Sequence, residues 1–386
     1  TDDVTARIMV NRLGANSGPI VLTSPDGQLV LTFVVTNFDG SATSPWRFVL
    51  VAGRPGGLLE RNHLVLNLND PCALPDTSWI KPGKVLRDVS LSTTGAVACV
   101  DHAAKHNIQY ILFDAGWYGD QWNEATATNI NLNPATHPGP LDLQFVIDYA
   151  ASNNVGVILY VNWLALTNGL DVLPALYESW GVKGIKFGFV KVGAQEWTAT
   201  VNDAVRRFAT HHIMVDIHDE FRVTGYERTW PNLMTTEGIR GDEATPSTSQ
   251  DLVMLFSRML AGPGDHTMCY FNSRVQNNWN HAHQLAKSVC LFSPLQFIHW
   301  YDIPTNSPKY TPGNPTGNNM ITEEPELEFW DRLPTTWDET RVLAGEIGEH
   351  AIVARRHGND WFLGAMNANT PRSFDVPLDF LSPGSS

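Results

Sequence analysis

Acidic side chains and one histidine gather in a short stretch of this sequence: His218-Asp219-Glu220, then Glu237, then Asp242-Glu243. Asp114 stands apart, further upstream. Each group follows a short apolar run, Ile108 to Phe113, Ile213 to Ile217 or Leu233 to Thr235. Carboxylates at successive strand ends suit cleavage of a glycosidic bond. One carboxyl must be protonated to help the leaving oxygen depart, and one must be ionised to activate water or attack carbon. The same group suits Ca²⁺, a hard cation that takes roughly six to eight oxygen ligands. Like charges brought together cost free energy unless a proton or a cation offsets them.

Each residue also has a plainer role open to it. Asp114 can cap the following turn, and Glu220 can pair with Arg222 two residues on. His218 has no HxH or HExxH partner, so a zinc ligand is not indicated. As a site, Asp219, Glu220, Glu237 and Glu243 are candidates for either task, catalysis or cation binding. Asp114, Trp117, Lys186 and His218 are candidate substrate contacts.

The elements that must hold these groups are legible as an alternation. Further apolar runs, Val155 to Val161, Gly184 to Phe189 and Leu295 to Trp300, read as strands. Residues 94–105, 143–151, 170–180, 197–210, 250–260 and 281–290 carry apolar side chains at helical spacing between them. Buried strands alternating with amphipathic helices over roughly 250 residues indicate an α/β fold, a (β/α)₈ TIM barrel. No GxGxxG follows the first strand, which disfavours a dinucleotide-binding sheet.

The first seventy residues or so are β-rich. Pro19 to Thr32 is a hairpin signal around Pro25-Asp26-Gly27, and Trp46 to Val51 and His63 to Leu68 read as strands. Ala351 to Arg355 and Trp361 to Met366 read as two strands of a C-terminal β-domain. The expected organisation is therefore an N-terminal β-sandwich portion over 1–70, the barrel over 71–325 and the β-domain over 326–386.

Composition narrows the function classes. A net charge of −14 argues against nucleic-acid binding, which needs a basic footprint. No apolar run reaches the roughly twenty residues of a membrane span. The start Thr1-Asp2-Asp3 lacks the basic and apolar regions of a signal peptide, so such a segment is expected to be absent or removed. Cys72, Cys99, Cys269 and Cys290 form no CxxC and read as buried core thiols. Thirteen Trp residues are many, and an indole face stacks well on a pyranose.

Four segments resemble glycoside hydrolase family 97. They are Trp79-Ile80-Lys81-Pro82-Gly83-Lys84, Phe113-Asp114-Ala115-Gly116-Trp117-Tyr118, Arg228-Thr229-Trp230-Pro231-Asn232-Leu233-Met234 and Glu237-Gly238-Ile239-Arg240-Gly241-Asp242-Glu243. The resemblance implies a β-sandwich, a (β/α)₈ barrel and a C-terminal β-domain, with calcium-dependent exo-acting α-glucosidase or α-galactosidase activity. It implies that Glu243 is the general acid and Glu237 a calcium ligand. Counting back from Arg222-Val223-Thr224-Gly225 places a ligand and base at Asp219, with Glu220 its neighbour. An oligosaccharide or α-glycoside substrate and a periplasmic or secreted location follow from the same resemblance.

Three positions depart from the family pattern. Lys186-Phe187-Gly188-Phe189 has glycine where retaining members carry the nucleophilic Asp, so an inverting outcome is expected. Tyr160-Val161-Asn162-Trp163 stands where inverting members place a second base. The N-terminal sandwich is short and offers no counterpart to a calcium ligand. These departures keep a second class open, a non-catalytic carbohydrate-binding protein on a degenerate hydrolase barrel.

Overall fold

A computed structural model describes residues 5–8, 20–23, 30–33, 47–123, 141–278, 280–308 and 319–381. The chain divides into two compact units, Thr1–Leu58 and Leu59–Ser386. In the first, β1 (Thr5–Ile8) pairs antiparallel with β4 (Arg47–Leu50). β2 (Ile20–Thr23) pairs antiparallel with β3 (Val30–Phe33), with Ile20 opposite Phe33. That is the expected hairpin.

The second unit is built on parallel strands. β5 (Gly83–Asp88), β6 (Tyr110–Phe113), β7 (Gly156–Asn162), β8 (Gly184–Gly188), β9 (Met214–Ile217), β10 (Leu233–Thr236) and β11 (Leu295–Ile298) form one sheet. Its order is β10-β9-β8-β7-β6-β5-β11, and every pairing is parallel. Residues 265–268 complete the ring. The Asp265 amide donates to Thr236 O at the end of β10, Met268 N donates to Phe297 O in β11, and Trp300 N donates to Met268 O. The fold is thus a near-closed α/β barrel in which the eighth position is held by an irregular segment.

The helices lie where their spacing places them. Thr93–Lys105 starts at Ser92, whose side chain accepts from the Gly95 amide. It buries Ala96, Cys99, Val100 and Ala103 on one face. Burial of a large apolar side chain contributes about 1.5–3 kcal/mol against about 1 kcal/mol for a cap, so packing holds this helix more than its cap does. Leu173–Trp180 stops at Gly181, whose φ of 87° is a left-handed conformation that glycine tolerates best. The expected helix over 170–180 is Leu173–Trp180, and a further short helix, Trp163–Gly169, precedes it.

Two expectations fail locally. His63 to Leu68 is not a strand but part of a 3₁₀ helix, Asn62–Leu68. Its alternating pattern mimics period two, yet local bonds such as Leu64 N to Arg61 O and Asn69 N to Leu66 O satisfy the backbone. Cys72 is exposed, whereas Cys99, Cys269 and Cys290 are buried free thiols as expected.

At the C-terminal end, β12 (Glu339–Glu346), β13 (His350–His357) and β14 (Asp360–Asn367) form an antiparallel sheet. β12 is an addition to the two strands read from sequence. It carries few contiguous apolar residues and is half-buried, which hid it. The sheet packs on the barrel through Val342, Val353 and Met366, which join Leu252, Phe256 and Cys290 in one apolar cluster.

Candidate active site

The ends of β8, β9 and β10 are laced together by backbone bonds that step from strand to strand. His218 N donates to Phe187 O at 2.8 Å, Glu237 N to Ile217 O at 2.8 Å, and Gly238 N to Asp219 O at 2.6 Å. Arg258 clamps the end of β10 from behind, its Nη2 donating to Thr236 O and Glu237 O at 2.7 Å each. Phe189, Asp219 and His299, each just past a strand end, have φ of 52°, 70° and 57°. Non-glycine residues in this region are uncommon and gather at functional sites.

This lacing brings together His218, Glu237 and Glu243, whose ligand atoms all lie within 4.8 Å of one another. His218 Nε2 lies 3.0 Å from Glu237 Oε1 and 3.5 Å from Glu243 Oε1. Its Nδ1 lies 3.7 Å from Asp219 Oδ1. The Asp219 amide also donates to Glu237 Oε2. His218 is thus central to the cluster.

The charges follow from this packing. Burial works against a charged His218, but its bonds to Glu237 and Glu243 prevail and lift it to about 10. Burial alone would raise Glu243; the hydrogen bond and charge of His218 hold it at about 2. Burial pushes the Asp219 carboxyl up against the pull of His218 and of the Phe189 and Val190 amides. Those two amides follow Gly188 directly, so the Asp219 carboxylate faces the end of β8. Its Oδ2 is buried and accepts no hydrogen bond.

A cation would find hard donors here. Glu237 and Glu243 converge on one point, Glu243 is ionised, and the Asp219 oxygen has unused acceptor capacity. The residues fit Ca²⁺. The expected metal set, Asp219, Glu237 and Glu243, surrounds the His218 imidazole, which stands between Asp219 and the two glutamates.

Other expected residues fall in different places. Asp114 ion-pairs with Arg87 (Nε to Oδ2, 3.2 Å) and accepts from the Ala115 amide at 2.8 Å. Trp117 is wholly buried and donates from its indole to Tyr160 O at 2.7 Å. It has no face to offer a sugar, so the substrate contact expected of it is corrected to a core role. Lys186 is likewise fully buried, 2.6 Å from Asp265 and 3.4 Å from Asp216. Its ammonium is taken up by those two carboxylates, which corrects the substrate contact expected of it to an interior ion pair. Glu220 is exposed and lines, with Asp219 and Glu237, an open cleft of about 1060 Å³. Asp242 turns inward to Lys287, Gln284 and the Cys269 amide, and it is a structural carboxylate.

Gly188 has a specific neighbour. A Cβ there would stand 1.9 Å from Tyr160 Cε2, so the tyrosine ring fills the space a side chain would use. The Tyr160 hydroxyl donates to Gln121 Oε1 at 2.5 Å, and burial followed by the charge of Asp114 raises its pKa.

Three residues were missed from the sequence. Trp300 donates from Nε1 to Glu243 Oε2 at 3.2 Å. Arg87 stacks over Trp300 at 4.5 Å, and Arg274 donates from Nε to Glu243 O at 3.3 Å. Trp300 ends the run Leu295 to Trp300 and was open to the same strand-end rule. Arg87 was hidden because β5 was not recognised as a strand.

Comparison with known proteins follows the same lines. Residues 81–239 match the family model described as Glycoside hydrolase 97. Residues 336–386 match the one described as Glycosyl-hydrolase 97 C-terminal, oligomerisation. A protein named Retaining alpha-galactosidase from Bacteroides thetaiotaomicron is 29% identical over 378 residues, 90% of this chain and 53% of the relative. A Probable retaining alpha-galactosidase from Streptomyces bingchenggensis is 31% identical over 354 residues, 88% of this chain and 52% of the relative. The chain therefore spans about half the length of these relatives. A Glycoside Hydrolase Family 97 enzyme from Pseudoalteromonas sp. strain K8, solved in complex with acarbose, superposes with a TM-score of 0.75 at 25% identity. That match covers 95% of this chain and 62% of the other. The inversion expected from Gly188 is at odds with the word retaining in both relatives' names.

Proposed function

The chain belongs to glycoside hydrolase family 97, and from that premise we propose that it hydrolyses terminal α-glycosides, of the α-galactoside or α-glucoside class. The observation that carries this is the convergence of Glu237 and Glu243 on His218, with Asp219 on the other side of the imidazole. Glu243 serves as the acid: ionised in the resting site, it takes a proton from His218 Nε2, 3.5 Å away, and gives it to the glycosidic oxygen as the bond from the anomeric carbon to that oxygen breaks. Asp219 is the opposing carboxylate. The names of the relatives favour its direct attack on the anomeric carbon, after which water displaces it. The tyrosine-filled space at Gly188 leaves that task to the neighbouring strand end.

Glu237 and Glu243, with Asp219 beside them, would hold Ca²⁺. Bound there, the cation supplies positive charge that offsets the carboxylates and stabilises oxyanion character near the reacting centre. Outside the cluster, Trp122 and Phe189 are exposed and in contact, with ring centroids 4.8 Å apart. They offer an apolar platform for a sugar ring, and Asp114 with Arg87 a polar edge.

Two measurements test this together. Release of sugar from methyl α-galactoside and α-glucoside, whose leaving oxygen needs a proton, is expected with calcium present, reduced at least about a hundredfold by Glu243→Gln. Chelation is expected to lower both activity and melting temperature, and Glu237→Gln to remove the calcium dependence of both. The departure at Gly188 favours a second reading, a sugar-binding barrel without turnover. Calorimetric binding of galactose or glucose with no product from either glycoside would establish that reading and end the first.

A further inference from the structure

A cavity of about 480 Å³ opens beside the starts of three barrel strands, away from the side chains of His218 and Glu243, neither of which lines it. Pro82, Leu233 and Pro294, at or just before the starts of β5, β10 and β11, form its floor. Val65 from the 3₁₀ helix and Trp337 from the C-terminal sheet's approach form its sides. The walls are predominantly apolar, and the volume is that of a small-molecule site.

One wall carries a buried charge. Arg355 is 5% exposed, and its Nη1 and Nη2 donate to Thr340 Oγ1 and Cys290 O at 3.1 Å each. Its Nε is buried and donates to nothing. Among the described residues no carboxylate pairs with it. Glu227 lines the same cavity and has a buried Oε1 without a partner, but the cation that acts on it is Arg258. Burial pushes the Glu227 carboxyl to about 7, so near neutrality much of it carries a proton it can donate. A buried guanidinium with no counterion is costly, and an unused N–H in a dry wall adds to that cost.

We propose that this cavity is a binding site for a small amphipathic anion, an apolar carboxylate whose head group meets Arg355 and whose hydrocarbon body lies along Val65, Leu233 and Trp337. The anion supplies the missing counterion and accepts from Nε. The apolar walls exclude sugars, which separates this site from the one at the strand ends.

Octanoate is the probe. Titration calorimetry on the 386-residue chain would compare octanoate, octanol and octyltrimethylammonium, with the octanoate-induced shift in melting temperature as a second readout. Octanoate is expected to bind at least about tenfold more tightly than octanol, and the cationic analogue not at all. Arg355→Met is expected to abolish the preference for octanoate over octanol. Glu243→Gln, outside the cavity's lining, is expected to leave octanoate affinity unchanged. If Arg355→Met does not fold, the three-ligand series on the wild-type chain decides alone. Equal affinity for octanoate and octanol, no octanoate binding, or a preference that survives Arg355→Met would each overturn the proposal. Loss of binding in Glu243→Gln would overturn the assigned location.

Discussion

The indole of Trp300 and the carboxylate of Glu243 are joined by one hydrogen bond, Nε1 to Oε2 at 3.2 Å. The ring that donates it is 1% exposed and lies between Arg87 at 4.5 Å and the Lys186 ammonium at 4.3 Å. Trp300 therefore fixes the Glu243 carboxylate with Oε1 toward His218, while two cations hold the ring itself.

Trp300→Phe keeps an aromatic face for both cations and removes only the donor. A hydrogen bond to a charged group is worth about 1.5–3 kcal/mol, so kcat is expected to fall about tenfold or more. KM should change little. A large rise in KM with kcat intact would show that Trp300 acts on binding rather than on the orientation of Glu243.

The His218 cluster gives stability a pH window of definite sign. His218, raised to about 10, contributes stability that is complete below its ordinary 6.5 and is lost as pH rises through 10. Glu243, lowered to about 2, contributes stability that is complete above its ordinary 4.5 and is lost as pH falls through 2. Melting temperature with chelator present is expected to be highest between about pH 5 and 6.5 on account of this cluster. His218→Gln should flatten both flanks, and a wild-type profile unchanged by that substitution would refute the assignment.

Gly188 and Tyr160 should behave as one unit. Gly188→Ala is expected to destabilise by about 1–3 kcal/mol, because the pinned ring 1.9 Å from the new Cβ must move. Tyr160→Leu has its own cost in lost packing. The double variant should lose less than the two costs combined, and additivity in a double-mutant cycle under denaturant would refute the clash.

Lys186→Met removes the cation that Asp216 and Asp265 share. Burial and Asp265 already push Asp216 up, and the lysine is the first of two cations, with His218, that offset this. A loss of about 3–5 kcal/mol is expected, larger at pH 8 than at pH 5, where protonation relieves the pair. A loss under 1 kcal/mol at both pH values would contradict this.

Periodicity made the barrel legible from sequence, because buried strands and amphipathic helices have patterns of their own. The motif at Glu237 and Glu243 made half of the cluster legible too. His218 reads from sequence as a substrate contact, since no spacing rule flags a histidine flanked by carboxylates from other strands. Trp117 and Lys186 sit at the right sequence positions for substrate contacts, but sequence gives no depth, and both are buried. The pairing of Tyr160 with Gly188 lies beyond any local pattern, because it depends on the register of β7 against β8.

The segment 265–268 gives the barrel a seam. Three backbone bonds, Asp265 to Thr236, Met268 to Phe297 and Trp300 to Met268, bridge the gap that a full ladder spans elsewhere. Cooperative opening of the ring should start there, with amide deuteration at 265–268 running ahead of β6 and β7. Asp265 on one side of the seam anchors Lys186, and Trp300 on the other anchors Glu243. The weakest closure of the barrel is thus also the joint between its two interior anchors, so loosening it would release the fold and the site in a single event.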